Sequence, residues 1–157
     1  MKRSLLLISV LPVIFISLKL SAQINMPIQW NFAVEIIDER SVDIIVSAQI
    51  DEGWRLFAAN ADAKNSVPFE MLIEQSDNYT VAGKMMQLLY PVSEIDDKNQ
   101  TTLLVFRNQA TFKQRVILNS TQKMTLSLTI FGQCCNPTLK QCAPVMQEEI
   151  FYINYTN

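Results

Sequence analysis

The stretch GQCCNPTLKQCAPV, residues 132–145, holds all three cysteines of a 157-residue chain that contains no histidine. Cys135 and Cys142 enclose six residues, Pro137 among them, a composition suited to a tight loop whose two ends lie close together. If their Cα atoms come within ~6 Å, the two can form a disulfide. A bridge across so short a loop removes little unfolded-state entropy and contributes less stability than one that closes a long loop. An accessible short-loop disulfide on a domain that folds without it is therefore a better candidate for thiol exchange than for structure.

Other chemistry is poorly supplied. Without histidine there is no Ser-His or Cys-His pair, and three glycines leave no phosphate-cradling loop. Three cysteines with Met146 nearby offer soft ligands to copper(I), but an oxidising compartment favours disulfides over free thiolates. Zinc lacks a fourth good ligand. No metal and no cofactor is expected.

The N-terminus indicates that compartment. Lys2 and Arg3 precede an apolar run from Leu5 to Leu18, and LSAQ follows at residues 20–23. A basic start, a short apolar middle and a small residue at the cut are the layout of a secretory signal peptide, so residues 1–22 are read as a leader cleaved after Ala22. The uninterrupted apolar stretch is shorter than the ~20 residues that span a bilayer, and no later segment is long enough. The first cysteine, Cys134, stands far from the apolar run, so a lipoprotein anchor is not expected. The mature chain, residues 23–157, is expected to be exported to the periplasm and soluble, with no membrane insertion after cleavage. Loss of Lys2, Arg3 and Lys19 leaves ten basic against fifteen acidic residues, a net charge of −5. That surface repels phosphate backbones and argues against nucleic-acid binding. The remaining 135 residues fit one domain, large enough to bury a core without disulfide staples.

The elements that must position the cysteines read as strands. Trp30, Phe32, Val34 and Ile36 alternate with smaller or polar residues, which puts the large ones on one face. Val42, Ile44, Val46, Ala48 and Ile50 repeat the pattern. GWRLFAAN, VPFEMLIE and YTVAGKMM read as shorter strands or strand ends, with turns at 51–53 and 76–78. TTLLVFRN and ATFKQRVIL form a hairpin turning at 107–109, followed by KMTLSLTIF and EEIFYINY. The cysteine loop falls between these last two. Eight or nine short strands and no amphipathic helix predict an all-β, immunoglobulin-like β-sandwich. Trp30, Phe32, Trp54, Phe57, Phe69, Phe106 and Phe112 occupy strand positions and are read as core. Tyr90 and Pro91 either line the cysteine site or end a strand, and Asp96 with Asp97 is read as a solvated turn. Asn78, Asn99, Asn119 and Asn154 head Asn-x-Thr sequons that matter only in a host that glycosylates them.

Several pieces, in order across most of residues 28–155, resemble the N-terminal periplasmic domain of the thiol:disulfide interchange protein DsbD. WNFAVEIID is similar to that family's opening strand, AQIDEGWRLFAAN to its Gly-Trp turn, VFRNQATFKQRVIL to the hairpin before the cysteines, and CNPTLKQCAP to its Cys, polar loop, Cys, Pro signature. The resemblance implies an immunoglobulin-like fold and electron transfer. The domain would take electrons from a membrane-embedded electron transporter of the DsbD type and pass them to thioredoxin-fold or other periplasmic proteins, as a component of a protein-disulfide reductase. One cysteine of a pair forms a mixed disulfide and the other resolves it; carried over, the catalytic pair is Cys135 and Cys142.

The chain departs from the family pattern in three respects. It ends at Asn157, so the donor is expected to be a separate molecule. Its inter-cysteine loop is a residue or two longer, which leaves Cys134 as an alternative to Cys135. The family's aromatic cap over the disulfide has no aromatic counterpart in SEIDDKNQTT, where Ile95 or Leu103 would have to serve. Neighbouring positions 134 and 135 point to opposite faces of an extended chain, and an odd thiol in an exported protein is either buried or paired between molecules. The competing reading is a non-catalytic interaction domain of the same fold with a structural disulfide.

Overall fold

The structure, a computed structural model, describes residues 26–62, 66–96, 100–120 and 122–154. The expected leader, Asp97 and the sequon at Asn99 lie outside the described residues. In chain order the strands are β1 (Ile28–Asp38), β2 (Ser41–Ile50), β3 (Arg55–Phe57), β4 (Glu70–Ile73), β5 (Tyr79–Gln87), β6 (Val92–Asp96), β7 (Thr101–Phe106), β8 (Gln109–Leu118), β9 (Met124–Asn136) and β10 (Gln141–Ile153). They form two antiparallel sheets, one ordered β1-β2-β8-β5 and the other β10-β9-β3-β7-β6. Strand β9 is shared most heavily. It pairs with β10 along one edge, and with β4 and then β3 in tandem along the other. The all-β sandwich expected from the alternation is the fold observed.

The core lies between the sheets. Val42, Ile44 and Val46 of β2, Phe112 and Val116 of β8, and Leu126, Leu128 and Ile130 of β9 are fully or almost fully buried at alternate positions, as the period of two requires. At its centre Phe69 stacks on Phe112 with ring centroids 3.8 Å apart, Trp30 stacks on Phe69 at 5.6 Å, and Phe106 meets Phe112 edge-on at 5.5 Å. Six of the seven aromatics read as core are buried or half-buried against it; the seventh, Phe57, is buried in a separate small cluster. Gly132 admits this stack to β9, since a Cβ there would lie 3.4 Å from the Phe69 Cα.

Four sequence expectations shift. The hairpin expected from TTLLVFRN and ATFKQRVIL does not form: β7 pairs with β3 and β6 while β8 pairs with β2 and β5, so residues 107–108 cross between the two sheets. Ile36 was expected on the apolar face of β1 but is 61% exposed: β1 is an edge strand, and its register with β2 shifts directly after Ile36. β6, VSEID, carries too few large apolar residues to read as a strand and is held by its pairing with β7. The segment read as a cysteine loop is mostly strand: β9 continues through Asn136 and β10 begins at Gln141, so only residues 137–140 form the loop. Pro144 is therefore inside a strand, tolerated because β10 is an edge.

On the outer side of the four-stranded sheet, Asp43 has no exposed side-chain surface. Arg115, its cross-strand neighbour, donates to both carboxylate oxygens, and Lys113 Nζ lies 3.0 Å from Oδ2. Hydrogen bonds from Arg115 and then Lys113 hold the Asp43 carboxyl below its ordinary range, against the opposing push of burial. Asp43→Ala is expected to cost about 1–2 kcal/mol, less than the ~3–5 kcal/mol of a fully buried pair, because both cations keep contact with water. The folded state binds the proton more weakly than the unfolded one. This contribution is thus present above the ordinary carboxyl value of 3.8 and lost as pH falls through the depressed folded value. Denaturant titrations at pH 7 and pH 3 should show the variant's deficit shrinking in acid; an equal deficit at both would contradict the assignment.

Candidate functional site

Strand alternation separates the three cysteines. On β9 the even positions Met124, Leu126, Leu128, Ile130 and Cys134 face the core, and the odd positions face outward. Cys134 is a free thiol with no exposed surface. Cys135, on the outer face, is the register partner of Cys142 on β10, and the two are joined by a disulfide with Cα atoms 4.1 Å apart. That spacing is typical of the closer kind of antiparallel pair, ~4.5 Å. Cys134 therefore does not take the place of Cys135 as the partner of Cys142. To reach it, Cys142 would have to turn to the core face.

The two bridged residues are unequally accessible. Cys142 lies exposed on the free edge of the sheet, flanked along the outer face of β10 by the exposed Pro144 and Met146. Cys135 is only 6% exposed and packs with Phe57, Ala61, Leu103 and Val105 in a small apolar cluster on the outside of the six-stranded sheet. Leu103, one of two residues considered for a cap, belongs to this cluster; Ile95, the other, is 70% exposed. Tyr90 is 97% exposed and contributes nothing to the core.

The hairpin that sets the pair is held locally. Asn136 closes the loop by accepting a hydrogen bond from the Leu139 N–H at 3.0 Å, and Lys140 takes a left-handed conformation, φ 54°, that returns the chain to β10. Asn136 Nδ2 would lie 3.0 Å from a Cβ at Gly53, whose φ of 81° also favours glycine. The β2–β3 turn and the cysteine hairpin thus touch where neither admits another atom.

Sequence reasoning missed the charged residues beside the pair. Arg55 on β3 is the register partner of Cys135, so Cys142, Cys135 and Arg55 stand in one row across three strands. Arg55 Nη1 donates to Glu94 Oε2 at 2.7 Å, and Arg107 Nε donates to Glu94 Oε1 at 2.5 Å. Burial pushes the Glu94 carboxyl up, but the bonds from Arg107 and Arg55 outweigh it and hold the group below its ordinary value. The available signal was the arginine inside the otherwise apolar WRLF. A surface cleft of about 580 Å³ lined by Glu74, Ser76 and Tyr79 shares no residue with the disulfide. Thiol exchange needs an accessible sulfur rather than a cavity.

No protein-family model and no curated protein matches the chain. Solved structures do. The N-terminal domain of Neisseria meningitidis DsbD in its reduced form aligns over 79% of this chain and 86% of its own, at 16% identity and a TM-score of 0.51. The N-terminal periplasmic domain of ScsB from Proteus mirabilis aligns over 80% of this chain but 46% of its own, at 16% identity and a TM-score of 0.58. A complex between the DsbD N-terminal and PilB N-terminal domains of Neisseria meningitidis aligns over 77% of this chain and 80% of that one, at 12% identity and a TM-score of 0.51. At these identities the likeness is one of fold: this chain has the immunoglobulin-like fold of DsbD N-terminal domains, and it carries a disulfide.

Burial pushes the Cys134 thiol up to about 12, with only a backbone hydrogen bond from Arg55 opposing. It should therefore stay protonated and resist alkylation in the folded protein at pH 8, and react only on unfolding. Cys134→Ala should keep the Cys135–Cys142 bridge intact. Mass spectrometry of alkylated peptides checks both, and native labelling at Cys134 would refute the burial. Asn136→Ala should lower stability by about 1 kcal/mol in thermal or urea unfolding, through the lost turn bond; no change would show that the strands alone set the hairpin.

Proposed function

We propose that this chain is an exported thiol-disulfide interchange domain. It carries reducing equivalents between a membrane-embedded electron transporter of the DsbD type and thioredoxin-fold or substrate proteins in the periplasm. Residues 1–22 would serve as the cleaved leader and residues 23–157 as the working domain. The observation that carries this reading is the asymmetry of the bridge, with Cys142 exposed on a sheet edge and Cys135 almost buried beside it.

Asymmetry assigns the steps. An incoming thiolate can approach the Cys142 sulfur and not that of Cys135, because exchange needs a line of attack along the S–S bond. As it bonds to Cys142 Sγ, the Cys135–Cys142 bond breaks and its electron pair leaves on Cys135 Sγ as a thiolate. The product is a mixed disulfide between partner and Cys142. A second thiolate on the partner then attacks its own sulfur in that bond, expelling the Cys142 thiolate, and the domain is left with two reduced cysteines. Run in reverse, the Cys142 thiolate attacks a partner disulfide and Cys135 resolves the intermediate. Each step conserves charge and needs only the two thiol-disulfide couples.

The stability contribution of the bridge supports exchange over stapling. Closing a loop of about eight residues contributes roughly 2.5 kcal/mol in the chain-entropy account, against ~4.7 kcal/mol for a hundred-residue loop. It links strands already paired at thirteen consecutive positions. The solved complex of a DsbD N-terminal domain with the PilB N-terminal domain supports a protein partner for this fold. The ScsB domain of similar fold is periplasmic, which supports the same compartment here.

Titration of the purified protein against glutathione, with alkylation and peptide mass spectrometry, should show the Cys135–Cys142 bridge opening well above about −300 mV. A bridge that stays closed through that range would leave the non-catalytic interaction domain with a structural disulfide in its place.

A further inference from the structure

The residue least explained by the fold is Arg55. Its side chain is only 14% exposed, and its Nη1 is committed to Glu94. Its Nε is buried and has no hydrogen-bond partner among the described residues. An unpaired buried donor is destabilising, so its presence calls for a reason. Arg55 stands directly across from Cys135 on the same face of the sheet, where Cβ atoms lie roughly 4.5–5.5 Å apart. In the oxidised domain the facing sulfur is a weak acceptor. Once the bridge opens, it becomes a thiolate, an anion that wants a charged donor in a site partly shut off from water.

We propose that Arg55 is the charge partner of Cys135, its Nε–H taking up a hydrogen bond to the Cys135 sulfur when that sulfur carries the electron pair released from the disulfide. This rests on the exchange reading above and adds a residue to it. As the partner thiolate bonds to Cys142 Sγ, the departing Cys135 sulfur gains negative charge opposite Arg55, whose guanidinium is held by Glu94 on the β6 side of β3 and would swing its free Nε–H toward the sulfur. A better stabilised thiolate leaves faster. Glu94 sets how much of that positive charge is available, because it shares the guanidinium, and Arg107 in turn neutralises part of Glu94. The other charged residues on the surrounding elements are Asp51 and Glu52 in the β2–β3 turn, Asp62 beside Ala61 of the apolar cluster, Asp96 on β6, Lys140 in the hairpin loop, and Glu148 and Glu149 on β10.

The test separates charge from packing by using substitutions of opposite sign. In the Cys134→Ala background, the protein is reduced fully with dithiothreitol. The Cys135 thiol is then titrated by the pH dependence of its alkylation, read at its own peptide. Arg55→Met should raise the Cys135 pKa by about one unit, Arg55→Lys should recover most of the shift, and Glu94→Gln should move it the other way. In the oxidised protein, the rate of opening by excess dithiothreitol should fall about threefold in Arg55→Met, following a Brønsted coefficient near 0.5, and rise in Glu94→Gln. Circular dichroism confirms that each variant is folded, and Arg55→Gln replaces Arg55→Met if the latter is not. An unchanged Cys135 pKa in the arginine variants, or shifts of the same sign in Arg55→Met and Glu94→Gln, would overturn the proposal. Because the titration uses fully reduced protein, it decides the role of Arg55 even if the wild-type bridge resists glutathione, an outcome that would defeat the exchange reading alone.

Discussion

The register between β9 and β10 is the constraint on which the site depends. Thirteen consecutive residue pairs, from Gln141 with Asn136 to Ile153 with Met124, fix which face each side chain occupies. The core enforces that register, because Leu126, Leu128 and Ile130 of β9 and Val145, Phe151 and Ile153 of β10 are all buried on the inner face. A slip of one residue would carry every one of them to solvent. The same alternation that buries these residues puts Cys135 and Cys142 opposite each other outside the sandwich and turns Cys134 inward. The bridge is a consequence of the core rather than its support.

From that register follows the inequality of the two sulfurs. β10 has no neighbour on its far side among the described strands, so Cys142 stands at an open edge. β9 is flanked on both sides, and Cys135 is hemmed in by Phe57, Leu103 and Val105 from β3 and β7. The tandem arrangement of β3 and β4 along β9 brings Arg55 into the same row while Phe69, immediately before β4, enters the central aromatic stack. Edge position, apolar shield and fixed charge come from three separate segments, and each is placed by backbone pairing rather than by a loop free to move.

Much of this was legible in the sequence where periodicity was strong. β2, β8 and the first two-thirds of β9 alternate cleanly; the face of β2 and the turns at 51–53 and 76–78 were read correctly, whereas 107–109 carries the chain from one sheet to the other rather than closing a hairpin. The cysteine segment misled because Gly132, Asn136 and Pro137 are turn formers, and GQCCN has no apolar alternation to mark it as strand. Its strand character comes from partners on both sides, β10 and β3, which local sequence does not reveal. β6 was missed for the same reason. The even-odd rule correctly allowed one of the adjacent cysteines to face the core, but choosing between Cys134 and Cys135 required the register. Arg55 and Glu94 lie 39 residues apart and meet only through the pairing of β3 with β7 and β7 with β6. No short-range pattern encodes that meeting.

The central claim is that the exposed sulfur receives the partner and the buried one departs. It is tested most directly by mixing the oxidised protein with a limiting amount of reduced glutathione, quenching in acid, and locating the glutathione adduct by peptide mass spectrometry. The account predicts adduct on Cys142 with Cys135 recovered as a thiol. Adduct on Cys135, or equal amounts on both, would contradict it.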